Sequence, residues 1–260
     1  MCLLVLAWQA HPRYRLVVAA NRDEFHARPT APLSKWPAPD DILAGRDLRA
    51  NGTWLALDHR RRFGVITNFR DLQTPRPDAP SRGALIPRFL REESGAGSFL
   101  NELAPQAPGY SGFNLLLTDG DSLWYASNRA PGFARTLPPG VYGLSNQFLD
   151  TPWPKLRRVR HRFEAWLGDE PAKSSSEGLF ALLDDRARAT QDEGLPQTGL
   201  EPEWERVLSA PFVLHQDYGT RCSTVLLLEP SGAGLLIERR FNPEGRQTGE
   251  SVFELAAGGW

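Results

Sequence analysis

The chain opens with Met1-Cys2-Leu3-Leu4-Val5-Leu6-Ala7-Trp8, and a second apolar run, Tyr14-Arg15-Leu16-Val17-Val18-Ala19-Ala20, ends in the polar segment Asn21-Arg22-Asp23-Glu24. Both runs have strand length, and Pro12 between them breaks regular structure, so the pattern predicts an antiparallel hairpin. A turn centred between His11 and Pro12 pairs Cys2 with Asn21. Because opposed residues and residues two apart share a sheet face, Cys2, Asn21 and Asp23 are predicted on one face, and Arg22 and Glu24 on the other. A slip of one residue would reverse this assignment.

Cys2 is the first candidate catalytic residue. A side chain as small as Cys normally permits removal of the initiator Met, which would leave Cys2 with both a thiol and a free α-amine. The α-amine has a reference pKa of about 7.7 to 8.0 and the thiol about 8.5, so the amine can accept the thiol proton near neutral pH. A Cys near a strand start is by itself more often a small buried residue. The amide and the two acidic residues at the end of the hairpin opposite the turn favour a functional site there, because a sheet edge that is only exposed to solvent rarely carries such a group of residues.

The composition excludes several classes of protein. The 260 residues are 41% hydrophobic and include 8 Trp and 13 Phe, which indicates a globular chain with a sizeable core. A net charge of -1 gives no excess of positive charge of the kind that binds nucleic acid or anchors a protein to a membrane surface. Cys2 and Cys222 are too few for a disulfide framework or a Cys-based zinc site, although a bridge between them would silence the Cys2 thiol. The first apolar run has no basic residue before it and is too short to span a membrane, so we expect a cytoplasmic protein without a targeting segment.

The remaining chain reads as strands joined by hairpins around a few helices. Asn51-Gly52 and Asp119-Gly120-Asp121 are tight-turn signals between strand-length runs, and apolar residues recur at helical spacing from Leu156 to Leu167. The Pro-rich segment 28–39 and the polar segment 186–202 are predicted to be loops. These patterns favour an α+β fold with antiparallel sheets covered by helices, in a single domain spanning 1–260. The predicted strands are 43–47, 53–58, 62–68, 113–118, 122–127, 141–146, 212–215, 224–228 and 235–240, and the predicted helices are 81–90, capped by Ser81, 152–167 and 176–183.

Two of the predicted strands end on an amide side chain. Asn68 closes the strand 62–68, and Asn146 closes the strand 141–146. An Asn at a strand end, taken alone, more often makes an Asx turn. We nevertheless take both as candidate site residues, because each would present a carboxamide at the end of a buried strand.

At Asn21-Arg22-Asp23-Glu24-Phe25 the chain resembles the NRDE family, known in eukaryotes as the transport and Golgi organisation type 2 proteins. The resemblance covers nearly the whole chain. It implies an N-terminal-nucleophile hydrolase-like fold, a four-layer sandwich with two antiparallel sheets between helical layers, and cellular roles around lipid handling (lipid metabolism) and haem trafficking. The other matching motifs are Arg28-Pro29-Thr30, Thr67-Asn68-Phe69-Arg70-Asp71, Ser81-Arg82-Gly83, Gly143-Leu144-Ser145-Asn146 with Asp150-Thr151-Pro152-Trp153-Pro154-Lys155, and Tyr218-Gly219-Thr220-Arg221.

A more distant similarity connects this arrangement to choloylglycine hydrolases and penicillin V acylases, which are cysteine enzymes that cleave amide bonds. The similarity implies that Cys2 is the nucleophile, that Asp23 orients the α-amine and the thiol, and that Arg221 completes the site electrostatically. It also implies an oxyanion hole formed by Asn146 and the backbone N–H of Asn68. The chain departs from the pattern at Ala20, where those enzymes usually carry Arg.

Two function classes follow from these residues. The first is an amidohydrolase that cleaves non-peptide C–N bonds through a thioester on Cys2, with no required cofactor. The second is a non-catalytic carrier of an amphipathic ligand such as haem or an acyl-CoA-like lipid. The observations that support the carrier are Ala20 in place of Arg, the aromatic content, and the histidines His26 and His215. A lone His is more often structural than a ligand. A pure interaction scaffold leaves the polar hairpin end unexplained, and neither the substrate nor the oligomeric state follows from the sequence.

Overall fold

A computed structural model describes residues 3–70, 78–169, 175–190 and 194–258. The chain divides into two compact units, each built around one antiparallel sheet. Unit 1 contains Met1–Ala27, Pro139–Ser145 and Leu149–Gly258, and unit 2 contains Arg28–Pro138, Asn146–Phe148 and Gly259–Trp260.

The regular elements follow one another as hairpins with helices inserted between them. The strands are β1 (Leu3–Trp8), β2 (Leu16–Phe25), β3 (Thr30–Lys35), β4 (Ile42–Asp47), β5 (Leu55–Asp58), β6 (Phe63–Asn68), β7 (Phe113–Thr118), β8 (Leu123–Ser127), β9 (Ala134–Leu137), β10 (Gly140–Leu144), β11 (Tyr218–Leu228), β12 (Gly234–Phe241) and β13 (Gln247–Leu255). The helices are α1 (Leu85–Arg91), α2 (Ala96–Leu103), α3 (Pro154–Gly168), α4 (Ser176–Leu183) and α5 (Pro202–Val207), with short 3-10 turns at Arg82–Ala84 and Ala107–Gly109.

Unit 1 contains a six-stranded sheet in the order β10-β1-β2-β11-β12-β13. Alternate residues of β1 and β2, among them Leu3, Val5 and Ala19, pack against α3 and α4 in one apolar core. Phe163 of α3 and Leu179 of α4 are among the fully buried helix residues of this core. The helical spacing predicted from the sequence therefore places the apolar stripes of α3 and α4 on one face of the sheet, which is called the helix-covered face below.

Unit 2 contains a seven-stranded sheet in the order β3-β4-β5-β6-β7-β8-β9, with α1 and α2 packed on it through Phe89 and Phe99. A close contact between two backbone segments of unit 2 explains why Gly52 and Gly83 are glycines. The Thr53 N–H donates to the Gly83 carbonyl at 3.0 Å, and a Cβ on Gly52 would lie 2.5 Å from the Gly83 carbonyl carbon. Only glycine fits at position 52 without moving this backbone.

The α+β class and the antiparallel sheets with helices packed on them are confirmed. Four details of the prediction are wrong. The strand predicted at 141–146 ends at Leu144 as β10, so Asn146 lies beyond the strand and does not close it. The segment 28–39 contains β3, an edge strand that tolerates Pro32 because an edge need not donate every N–H. The segment 212–215 forms no strand and makes only an isolated bridge from Leu214 to Gly219. Ser81 makes no side-chain hydrogen bond as a cap.

The most consequential correction concerns the register of the first hairpin. Leu3, not Cys2, pairs with Asn21, because the pairing of β1 with β2 is shifted by one residue from the predicted turn centre. Asn21 therefore shares the helix-covered face with Leu3 and Ala19. Cys2 itself lies outside the described residues. Among the described residues, none of the helices is long and apolar enough to cross a membrane.

His11 in the β1–β2 turn generates a pH prediction. Its Nδ1 accepts the backbone N–H groups of Arg13 at 3.1 Å and Tyr14 at 3.2 Å, and its ring stacks on Tyr14 and Trp166. Burial, and then the charge of Arg13, lowers the pKa of His11. The unfolded chain consequently binds the proton first as the pH falls below about 6.5, so the free energy of unfolding should decrease as the solution is acidified.

The substitution His11→Asn should reduce this acid sensitivity, since the Asn oxygen can accept the same N–H groups and does not titrate. Urea unfolding at about pH 7.5 and about pH 5.5 measures the effect. His59→Asn is the matched control, because His59 is half exposed beside Asp41. Equal acid sensitivity in His11→Asn and the unsubstituted chain would contradict the prediction.

Candidate functional site at the polar strand ends

The predicted site residues occur in both units, with Asn21, Asp23 and Arg221 in unit 1 and Asn68 and Asn146 in unit 2. In unit 1 the polar segment Asn21-Arg22-Asp23-Glu24 forms the last part of β2 and pairs with β11. Because side chains alternate along a strand, Asn21 and Asp23 belong to the helix-covered face and Arg22 and Glu24 to the other face. The predicted separation of these two pairs is therefore kept, although the predicted pairing of Asn21 with Cys2 is wrong.

Asn21 is fully buried and joins four parts of unit 1. Its amide nitrogen donates to the carbonyls of Leu183 and Pro211, both at 2.9 Å, and its oxygen accepts the Ser223 hydroxyl at 2.6 Å. These bonds attach β2 to the end of α4, to the loop at residue 211 and to β11. All hydrogens of the carboxamide are used, so Asn21 acts as a structural group.

Asp23 is also buried, and one of its oxygens accepts the Thr220 hydroxyl at 2.7 Å. The Thr220 oxygen accepts in turn the N–H of Val213 at 2.9 Å. The sequence reasoning missed Thr220, although it belongs to the quoted motif Tyr218-Gly219-Thr220-Arg221. The predicted role of Asp23 as the group that orients the nucleophile stays a prediction.

Arg221 lies at a β-bulge, where the register of β11 with β2 shifts between Thr220 and Cys222. Its guanidinium donates to the carbonyls of Phe25 at 3.0 Å and His26 at 3.2 Å. Burial, and then the positive charge of Arg22, lowers the pKa of Arg221 below its ordinary value. Two interacting guanidinium groups thus occupy the same strand end, and they favour an anion there.

Cys222 lies opposite Arg22 on β2 and Arg240 on β12. The thiol is buried, and burial, followed by the Glu238 carboxylate, raises the pKa of Cys222 well above its ordinary value. A buried thiol with a raised pKa carries little thiolate and reacts slowly. Cys222 is therefore a structural cysteine, which its position in the sequence could not indicate.

In unit 2, Asn146 is attached to the end of β6 by three hydrogen bonds. Its side-chain nitrogen donates to the Asn68 carbonyl at 3.0 Å, and its backbone carbonyl accepts the Arg70 N–H at 2.8 Å. The Arg70 guanidinium donates to the Asn146 side-chain oxygen at 3.4 Å. The two predicted amides, Asn68 and Asn146, are thus neighbours. Arg70, which lies next to them, belongs to the motif Thr67-Asn68-Phe69-Arg70-Asp71, but the sequence did not indicate a role for it.

Asn114 is a second residue of this cluster that the sequence reasoning missed. It is fully buried on β7, and its nitrogen donates to the Gln147 carbonyl at 3.0 Å and to the Thr67 hydroxyl at 3.2 Å. Its oxygen accepts the Tyr125 hydroxyl at 2.8 Å. A lone amide within the apolar run Phe113-Asn114-Leu115-Leu116-Leu117 was the available signal, because a buried polar side chain must find partners.

Within the described part of the chain, no group of three or more His, Cys, Asp or Glu side chains is arranged to hold a metal ion. The polar groups found at the two strand ends are carboxamides, guanidiniums and single carboxylates. Such groups bind and orient an organic ligand through hydrogen bonds and charge.

Comparisons with known proteins give consistent relatives. A family model described as Transport and Golgi organisation 2 matches residues 1–243. The mouse Transport and Golgi organization 2 homolog is 33% identical, and the human homolog is 31% identical; each alignment covers 92% of both chains. Among solved structures, a Caenorhabditis elegans N-acylethanolamine-hydrolyzing acid amidase ortholog is similar with a TM-score of 0.52 at 10% identity, over 88% of this chain and 93% of that one. This similarity confirms the predicted N-terminal-nucleophile hydrolase-like fold.

Asn21→Asp should destabilise the protein strongly. The substitution removes both donors and places carboxylate oxygens against the Leu183 and Pro211 carbonyls, at a cost of about 3 kcal/mol or more in the free energy of unfolding. Asn101→Asp, on the exposed side of α2, makes the same chemical change at the surface and should alter stability by less than about 0.5 kcal/mol. Urea midpoints of the two variants test the assignment, and similar midpoints would refute it.

Proposed function

This chain belongs to the Transport and Golgi organisation 2 family and has the fold of an N-terminal-nucleophile hydrolase, and from that premise we propose that it is an amidohydrolase. The proposed nucleophile is Cys2 after removal of Met1, and the proposed substrates are linear amides with non-peptide C–N bonds. By its description the similar Caenorhabditis elegans protein is an amidase that hydrolyses N-acylethanolamines, which supports an amide substrate class.

The observation that carries the proposal is the pairing of Leu3 with Asn21. Cys2 precedes Leu3 directly in the chain, and Arg22 and Asp23 follow Asn21 directly on the neighbouring strand. The start of β1 is therefore adjacent to the polar end of β2. This arrangement supports a nucleophile at position 2 supplied with charged neighbours.

The charges at this strand end support the same chemistry. Arg22 lies two residues beyond Ala20 on the same strand face, so a guanidinium is present near the position at which related hydrolases carry one. Arg221 interacts electrostatically with Arg22. Positive charge lowers the pKa of a nearby thiol and stabilises the negative charge that develops on a carbonyl oxygen during attack.

The proposed reaction has two steps. The α-amine of Cys2 takes the thiol proton while sulfur attacks the amide carbon, and the leaving amine departs with that proton as the thioester forms. Water then adds to the thioester, releases the carboxylic acid and restores the thiol. The resemblance assigns the oxyanion to Asn146 and to the backbone N–H of Asn68, and that assignment stays a prediction.

Intact-mass measurement with 4-nitrophenyl acetate, a thiol-reactive acyl donor, tests the proposal. The mature chain should lack Met1 and gain one acetyl group, and Cys2→Ala should gain none while keeping its thermal midpoint. Cys222→Ala is the matched control and should be labelled like the unsubstituted chain, because the Cys222 thiol is buried and has a raised pKa. A retained Met1, or labelling that persists in Cys2→Ala, would remove the proposal.

A second candidate function is the carrier, and a partly exposed aromatic cluster in unit 1 favours it. Phe25 is 55% exposed and packs edge to face on Tyr218, with ring centroids 5.1 Å apart. Trp204 adjoins Tyr218 at 6.3 Å and His215 at 4.6 Å. A partly exposed aromatic cluster is suited to contact an apolar ligand, and haem is the ligand we propose for this function.

Titration with haemin distinguishes the carrier from the hydrolase. A carrier should shift the Soret absorbance at micromolar haemin, and His215→Ala should weaken binding by about tenfold if the imidazole is a ligand. His161→Ala removes an exposed histidine from α3 and should leave the titration unchanged. No Soret shift at micromolar haemin would exclude haem carriage.

A further inference from the structure

A row of polar side chains crosses the helix-covered face of the unit 1 sheet. Asn21 on β2 lies opposite Ser223 on β11, Ser223 lies opposite Arg239 on β12, and Arg239 lies opposite Glu250 on β13. The neighbouring row on this face contains Ala19, Val225 and Ile237, which belong to the apolar core. A polar row inside an apolar face requires partners, and it leads from the fully buried Asn21 towards the edge of the sheet.

A cavity of about 200 Å³ lies above this row, beside α4. Ser223, only 2% exposed, contributes to its wall, and Phe180 and Phe241 supply aromatic surface. Its remaining lining residues are Glu177, Ala181, Asp184, Arg239 and Gln247. The volume has room for about seven groups the size of a water molecule.

The hydrogen-bonding capacity that the cavity offers is mainly that of an acceptor. The Ser223 proton goes to Asn21, which leaves the oxygen lone pairs of the hydroxyl as acceptors. The Arg239 guanidinium is ion-paired with Glu177 and Glu250 and lies 3.9 Å from the Phe180 ring centroid. Three of its five N–H donors are thus engaged by these two carboxylates.

The charge of the lining favours a cation. Glu177 and Asp184 contribute two carboxylates against the single guanidinium of Arg239, and both are well exposed, at 67% and 55% of the side chain. The ion pair of Asp184 with Arg186 lies at the surface, where such pairs contribute little and exchange easily. Aromatic rings such as Phe241 attract a positive group further.

We propose that this cavity binds a small primary ammonium compound whose apolar body lies between Phe180 and Phe241. The ammonium group donates to the Asp184 carboxylate and to the Ser223 oxygen. Because the Ser223 hydroxyl bonds to Asn21, the bound amine also stabilises the strand that carries Asn21, Arg22 and Asp23. The site is independent of the proposed hydrolysis, since all its residues lie beside α4 and none of them is Cys2.

Calorimetric titration of the full chain with benzylammonium chloride tests the site. Benzylammonium has the size of the cavity and should bind with a Kd of about 1 mM or below. Benzyl alcohol, which has the same shape without the charge, and phenylacetate, which has the opposite charge, should each bind at least about tenfold more weakly.

Two variants and a matched control make the test specific. Asp184→Asn should raise the Kd for benzylammonium by about tenfold, and Ala181→Phe, which fills the cavity from the surface of α4, should abolish binding. Glu254→Gln removes an exposed carboxylate of β13 that does not line the cavity, and it should leave the Kd unchanged. Equal binding of benzyl alcohol or phenylacetate, or an unchanged Kd in Asp184→Asn, would overturn the proposal.

Discussion

The fold of unit 1 depends on the buried carboxamide of Asn21. Its three hydrogen bonds reach the carbonyl that ends α4, the carbonyl of Pro211 and the hydroxyl of Ser223. Burying any of these three groups without a hydrogen-bond partner would cost free energy of folding. The carboxamide therefore fixes the positions of two backbone segments and one strand at once. No other side chain of similar size supplies two donors and an acceptor in one plane.

The hydrogen bonds of Asn21 fix which side chains of the polar segment at the end of β2 face the helices. The segment therefore divides into two pairs of residues with different functions. Asn21 and Asp23 face the helix-covered side and bond to Ser223 and Thr220, whereas Arg22 belongs to the other face with Cys222 as its cross-strand neighbour. A sequence motif of four adjacent polar residues is therefore not one cluster. Period-two alternation divides it, so half of the motif maintains the fold and the other half is available for charge at the strand end.

The sequence predicted the fold class and most strands because the signals are local. The apolar runs of β1 and β2 and the helical spacing of α3 need no distant information. The register of the first hairpin could not be predicted in the same way, because a one-residue difference in the turn centre exchanged Cys2 for Leu3 as the partner of Asn21. The roles of Asn114 and Thr220 depend on partners far along the chain, Gln147 and Asp23, which no local pattern contains. The proximity of Asn68 and Asn146 was predicted only through the family resemblance.

The bulge at Arg221 allows β11, which carries the motif Tyr218-Gly219-Thr220-Arg221, to form buried hydrogen bonds with the motif Asn21-Arg22-Asp23-Glu24 of β2. In an unbroken strand, Thr220 would alternate with Ser223 and face away from Asn21 and Asp23. The extra residue resets the alternation, so Thr220 faces Asp23 while Ser223 still faces Asn21. Both buried bonds exist only because the register shifts between Thr220 and Cys222. The same shift places Arg221 outside the regular pairing, where its guanidinium reaches the carbonyls of Phe25 and His26 and interacts with Arg22. One inserted residue thus satisfies two buried polar groups and adds a second positive charge at the end of β2.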